Sequence, residues 1–207
     1  MARHKDEGFS LLEALAAVSI SMILAGIGFM SLLPVLKQSH VNTAYSTTLM
    51  ALRSARNLAI TQTHEYYVNF NPLGFAPGTI QIQYQPAAVG GGPLPALQQV
   101  NTYTLPPDVS FAVKTGFPGA TPDGFGSGAT AVDMGQGLAG APLNYVVFMP
   151  DGSAKDSVGN FNNGVIYLTG SDTGVVGSRA ITVWGTTGRV RGWRLDQVAG
   201  VATWVQQ

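Results

Sequence analysis

One acidic side chain, Glu13, lies at the start of an apolar stretch that continues from Ala14 to Val35. Just before it, the junction between Gly8 and Phe9 separates this stretch from a short polar leader. A protease at the membrane face could cut that junction and remove only polar residues. The new α-amino group of Phe9 would then lie four residues from Glu13, one helical turn away and on the same face. These residues predict an ammonium–carboxylate contact, within one chain or between neighbouring copies.

The apolar stretch is long enough to cross a bilayer, since about 20 residues rising roughly 1.5 Å each span the hydrocarbon core. An acid within such a helix costs about 2.5–3.5 kcal/mol on insertion scales, so it usually has a partner. The alternative for Glu13 is that its carboxylate reaches the lipid headgroups at the interface. The leader carries acids beside its basic residues, and no small-residue cleavage site follows the apolar stretch, which argues against an ordinary signal peptide. We expect a chain that stays anchored after losing residues 1–8.

Catalytic and metal-binding chemistry finds little support in the residue types. The histidines are dispersed along the chain as His4, His40 and His64, and there is no cysteine. The pair His64 and Glu65 is more typical of a helix end than of a metal site. Asp151 and Asp156 flank a predicted turn, but the oxygen ligands of a calcium loop are incomplete. We therefore expect no enzyme activity, no cofactor and no metal.

A basic hairpin near the C-terminus is the other candidate site. Alternation along residues 188–194 places Arg189, Arg191 and Trp193 on one strand face. Two arginines and an aromatic ring on an exposed face could contact phosphates and stack on bases. The alternative is a solvated edge strand whose arginines oppose edge-to-edge aggregation.

Two consecutive helical segments must position these groups. Residues 9–35 are predicted to form a hydrophobic transmembrane or assembly helix, and residues 36–63 to continue it as an amphipathic helix. Spacings of three and four place six residues along one face of the second segment: Val41, Tyr45, Thr48, Leu52, Ala55 and Ala59. We expect that face to pack on a soluble domain formed by residues 64–207.

Beyond residue 64 the pattern changes to short runs rich in β-branched and aromatic residues, bounded by Gly, Pro, Asn and Asp. Eight strands are predicted: 66–70, 79–84, 101–105, 109–114, 145–149, 164–169, 179–184 and 189–194. The predicted fold class is α+β, with a long N-terminal helix packed on an antiparallel β domain whose strands pair in sequence order. The Gly-rich segments 87–95 and 116–142 are predicted to be exposed loops, mobile or ordered only by neighbours.

The composition argues against electrostatic binding by the whole molecule and excludes disulfide bonds. The 207 residues carry no net charge and only 11% charged side chains, so the whole molecule does not attract nucleic acid or acidic lipid electrostatically. Without cysteine there is no disulfide to report on a redox compartment.

The string Gly8-Phe9-Ser10-Leu11-Leu12-Glu13 resembles the class III leader junction of type IV pilins and type II secretion pseudopilins. The resemblance implies cleavage after Gly8 by a prepilin peptidase, N-methylation of Phe9 and a role for Glu13 in docking the subunit into a helical filament. It also implies a single-pass protein of the bacterial inner membrane with a periplasmic domain. Its partners would be other pilins or pseudopilins, the inner-membrane assembly platform and membrane lipid.

Two further strings resemble the GspH/FimT group of pseudopilins and minor pilins. They are Leu52-Arg53-Ser54-Ala55-Arg56-Asn57-Leu58-Ala59-Ile60 and Gly188-Arg189-Val190-Arg191. Members of that group act at or near a filament tip, and some relatives that serve DNA uptake use C-terminal arginines for DNA, which would be Arg189 and Arg191 here. A major pilin, a DNA-binding minor pilin and the choice between secretion and pilus machinery remain open alternatives.

Overall fold

The structure is a computed structural model that describes residues 11–71, 78–88, 90, 92–171 and 173–207. The chain divides into two compact units, with the boundary between Leu36 and Lys37. The first unit contains the beginning of the long helix, and the second contains the rest of the helix and all the strands described below.

The helix α1 runs from Leu11 to Gln62 and continues through Pro34. In its first part, the large apolar side chains are between 41% and 83% exposed, at Leu33 and Leu11 respectively. This is the one span among the described residues that is long and apolar enough to cross a membrane. No described residue of the first unit covers these side chains, so we expect a partner or a bilayer to bury them.

The second part of α1 buries a narrow face against the strands of the second unit. Seven of its residues are fully buried: Val41, Ala44, Thr48, Ala51, Leu52, Ala55 and Ala59. The predicted stripe is confirmed, except that Tyr45 is only half-buried. Four of the seven are alanines, whose small side chains let the helix axis approach the strands closely.

Sheet 1 has the strand order β3-β2-β1-β6-β7. Its strands are β1 Glu65–Asn71, β2 Thr79–Gln85, β3 Gln98–Thr104, β6 Tyr145–Phe148 and β7 Ala154–Lys155. Val68, Phe70 and Ile82 point into the core, whereas the alternate residues Asn69 and Gln83 share the outer face and hydrogen-bond each other. One apolar face and one polar face are what a sheet covered on one side requires.

Sheet 2 has the order β11-β10-β9-β8-β4, and β5 also pairs with β8. Its strands are β4 Val109–Phe111, β5 Val132–Met134, β8 Gly164–Gly170, β9 Arg179–Trp184, β10 Arg189–Val198 and β11 Val201–Gln206. Every residue of β8 is buried. Ile166 and Leu168 face the main core, whereas Val165 and Tyr167 face a second, smaller cluster on the other side.

The α+β fold class is confirmed, and all strand pairs in the described part of the chain are antiparallel. The expectation that strands pair in sequence order is confirmed for six of the nine described pairs and is wrong for the other three. β1 pairs with β6 as well as β2, and both β4 and β5 lie along β8. The pattern of apolar residues fixes which face of a strand is buried, but it does not specify the neighbour, which depends on how distant segments share one core.

The expectation that residues 116–142 form an exposed loop is also wrong. The Phe117 ring packs on Tyr167 and Trp204, and the Phe125 ring packs edge-on against Trp184 at 4.8 Å. A short 3-10 helix, Pro122–Gly124, and β5 lie within the same segment. Its aromatic residues give this Gly-rich segment enough apolar area to cover the outer face of sheet 2.

Candidate functional site

The N-terminal candidate site is described only from Leu11 onward. Gly8 and Phe9, the predicted cleavage junction, lie outside the described residues. Glu13 lies in the first described turn of α1, at the start of the exposed apolar side chains. A carboxylate near a helix N-terminus is favoured by the helix dipole. The geometry therefore places a single acid where the apolar surface begins.

The three hairpin residues, Arg189, Arg191 and Trp193, differ from one another in what surrounds them in the structure. Arg191 donates from Nη1 to Asp123 Oδ1 at 2.7 Å, and its guanidinium lies 5.3 Å from the centre of the Trp184 ring. The side chain of Asp123 is only 6% exposed and also accepts hydrogen bonds from Thr182 Oγ1 and Trp184 Nε1. Arg191 therefore holds residues 122–124 against sheet 2.

Trp193 is likewise engaged within the fold. Its Nε1 donates to Thr182 Oγ1 at 3.1 Å, and its ring packs against the small cluster under Phe125. The expectation of one fully exposed face is thus wrong for Arg191 and Trp193, because residues 116–128 cover it. Arg189 lies beyond that cover and is exposed.

A cleft between α1 and the hairpin brings together residues that are distant in the sequence. Arg56 donates from Nε to the carbonyl oxygen of Gly152 at 3.1 Å and from Nη2 to that of Thr187 at 3.0 Å. Gly188 has a φ of 59°, and a Cβ there would meet the Gly152 oxygen at 2.0 Å. The two turns can therefore close on Arg56 only if residue 188 is glycine.

The cleft has a volume of about 510 Å³. It is lined by Arg53, Arg56, Asn57, Thr187, Gly188, Arg189 and Val190. Apart from Thr187, these residues belong to the two strings, 52–60 and 188–191, singled out in the sequence. The first string supplies the Arg56 guanidinium, and the second begins with Gly188, directly after the Thr187 carbonyl that accepts from it.

Sequence reasoning missed the role of Arg179, a buried cation that also connects α1 to sheet 2. Its side chain donates to the carbonyl oxygen of Gly177 at 2.9 Å and to Asn42 Oδ1 at 2.5 Å. Burial lowers the pKa of Arg179 below its ordinary value. A charged residue at the start of an apolar strand was the available signal, because such a residue needs partners when it is buried.

Other described acids and histidines contact residues within the fold, and His4 lies outside the described residues. His40 Nδ1 lies 2.8 Å from Asp108 Oδ1, and His64 contacts the ring of Tyr84. Asp151 accepts from Ser153, which lowers the pKa of its carboxyl. Within the described ranges, no three His, Cys, Asp or Glu side chains come together as a metal site would need.

Residues 3–29 match the family model of the prokaryotic N-terminal methylation motif. No curated protein and no solved structure matches the chain. The motif indicates a type IV pilin-like protein that is processed by prepilin peptidase, interacts with other pilins and has a structural role. Together with the exposed apolar part of α1, it indicates membrane anchoring.

Proposed function

We propose that this chain is a non-enzymatic pilin or pseudopilin subunit that is cut between Gly8 and Phe9 and then assembles into a helical filament. The observation that carries the proposal is the methylation motif at residues 3–29, which continues into an apolar helix with exposed side chains. Before assembly, the helix spans the inner membrane and residues 37–207 lie in the periplasm. In the filament, the same apolar surface packs on the helices of other subunits.

Glu13 has the role of setting the register between subunits. Once the leader has been removed, its carboxylate meets the α-amino group of Phe9 in a neighbouring subunit. The alternative contact, with Phe9 of its own chain, would neutralise both charges without setting the register. In an apolar surrounding the contact between subunits is favourable only when both charges meet, so subunits out of register leave a charge unpaired.

A minor subunit of the GspH/FimT group, at or near the filament tip, is the finer proposal. It is supported by the contact of Arg56 with the turn before Gly188, which joins the two strings typical of that group. The assembly platform of either a type II secretion system or a type IV pilus would receive such a subunit. DNA uptake has less support, because Arg191 and Trp193 are engaged within the fold.

The cleavage step provides the test. We expect Gly8→Leu to block processing when the full chain is produced together with a prepilin peptidase, so that intact-mass analysis shows a retained leader. Gly26→Ala is the matched control, because nothing lies within 4 Å of a Cβ at Gly26. Normal processing of Gly8→Leu, or a wild-type chain that keeps residues 1–8, would contradict the proposal.

A further inference from the structure

The cleft beside Arg56 holds an unusual concentration of positive charge. Arg53 and Arg189 are exposed there, next to Arg56, and no acidic residue lines the cleft. Arg56 is occupied by two carbonyl oxygens, whereas Arg53 and Arg189 make no ion pair among the described residues. Three like charges in one cleft repel one another, which an anionic ligand would relieve.

The acids that the structure describes in the second unit have partners outside this cleft. Glu65 accepts a hydrogen bond from the Tyr67 hydroxyl. Each of six aspartates is engaged elsewhere: Asp108 by His40, Asp123 by Arg191, Asp133 by Ser127, Asp151 by Ser153, Asp156 by Asn160 and Asp196 by Arg194. Asp151 belongs to the same turn as Gly152, yet its electrostatic partner is Lys155. Among the described residues of the second unit, no carboxylate lines the cleft, so the complement that we consider is a carboxylate of another molecule.

An apolar groove continues from the cleft along the outer face of α1. Leu49, Met50 and Leu58 line it together with small polar side chains, and Arg53 and Asn57 line both the groove and the cleft. Met50 is 53% exposed. Arginine and methionine are enriched at protein interfaces, where a guanidinium binds a carboxylate in a bidentate manner.

We propose that this continuous surface, formed by α1 residues 46–61 and the turn at residues 187–189, binds an acidic segment of a partner protein. A carboxylate of that segment lies between Arg53 and Arg189, and its apolar side chains cover Leu49 and Met50. The inference rests on the proposed function, because a filament subunit meets other proteins along its helix.

The observations favour a protein over a nucleic acid. A duplex is held by several phosphate contacts, but only two guanidinium groups in the cleft, those of Arg53 and Arg189, are available to bind phosphate. The adjoining apolar side chains would make no favourable contact with a phosphate backbone, and the chain has no net charge to attract one. Nucleic-acid binding is therefore an outcome that would overturn the proposal.

Photo-crosslinking in the native cells tests the proposal with the full chain. A benzoylphenylalanine at position 50 should cross-link to a protein segment that contains Asp or Glu, whereas the same label at the exposed Val158 should not. Arg53→Glu combined with Arg189→Glu should lower the yield at least tenfold, and Arg53→Gln combined with Arg189→Gln should lower it less. Arg194→Glu is the matched control, since Arg194 is exposed on the same strand and lies next to Asp196.

Replacing the cross-linked carboxylate by arginine should restore the yield in the double Glu variant. An unchanged yield in that variant, no restoration by the charge exchange, no cross-link at all, or a nuclease-sensitive product would each overturn the proposal. Thermal unfolding of both double variants checks that the fold is intact. The mass of the labelled chain separates this proposal from the proposed function. If the leader is lost correctly but the double Glu variant cross-links as well as wild type, only the docking proposal is contradicted.

Discussion

The two parts of α1 share one helix but differ in what covers them. From Leu11 to Leu36 the large apolar side chains are exposed, and the hydroxyls of Ser19 and Ser21 bond only to carbonyl oxygens four residues earlier. From Lys37 onward, small residues are fully buried, and side chains such as Arg56 reach residues far away in the sequence. The second part completes a domain within its own chain, whereas the first part has a surface suited to an environment outside it.

The largest expected effect concerns the exposed part. Glu13→Ala should insert into the membrane normally but enter filaments less well by a factor on the order of ten or more, because an unpaired buried charge costs several kcal/mol. The measurement is the amount of the processed variant in purified filaments relative to wild type.

Glu13→Gln keeps the size of the side chain and removes its charge, so it should behave like the alanine variant. Normal incorporation of either variant would show that the carboxylate does not pair. The unfolding temperature of the second unit should stay at the wild-type value in both, since Glu13 lies in the first unit.

A smaller effect is expected from enlarging an alanine in each part. Ala55→Leu should lower the free energy of unfolding by about 1–3 kcal/mol, because Ala55 is fully buried against the strands and the extra atoms overpack the core. Ala17→Leu, on the exposed part, should leave it unchanged. Thermal or denaturant unfolding of the detergent-solubilised chain measures both, and equal effects would erase the distinction between the two parts.

The smallest effect concerns hydrogen bonds. Arg56→Gln should destabilise the second unit by about 0.5–1.5 kcal/mol, because the carbonyl oxygens of Gly152 and Thr187 lose a charged donor, the first in a partly buried hydrogen bond and the second in an exposed one. Ser19→Ala removes only a bond within the exposed helix and should change stability by less than about 0.5 kcal/mol. If Arg56→Gln left the free energy of unfolding unchanged, the turns at Gly152 and Gly188 would close without the Arg56 side chain.

Much of this fold could be predicted from local patterns. The buried stripe of α1 follows from its spacing, and the turns at residues 150–152 and 186–188 follow from their Gly and Asp residues. β5 and β7 have three residues and two residues respectively, too few for an alternating pattern to stand out. β11 was missed although Val201-Ala202-Thr203-Trp204-Val205 has strand-forming residues after a turn at Gly200.

The candidate site was harder to predict because its members meet only in three dimensions. The alternation along β10 correctly puts Arg191 and Trp193 on one face, but nothing in it reveals that Asp123 and Phe125 cover that face. The cleft has the same origin, since Arg56 and Gly188 are brought together by the packing of α1 on two separate turns. Sequence spacing cannot show such contacts between distant segments.

The pairing of β1 with β6 has a consequence for biogenesis. Tyr66 is opposite Phe148, and the core strands β8 and β9 come later still. Ribosomes deliver the chain from its N-terminus, so the buried face of α1 must wait for most of the remaining chain before it can be covered. Long-range pairings also form slowly, because the chain loses the entropy of loop closure before the stabilising contacts are made. Tethering by the apolar helix would keep each nascent chain apart from its neighbours during that interval, when its uncovered strands could otherwise aggregate.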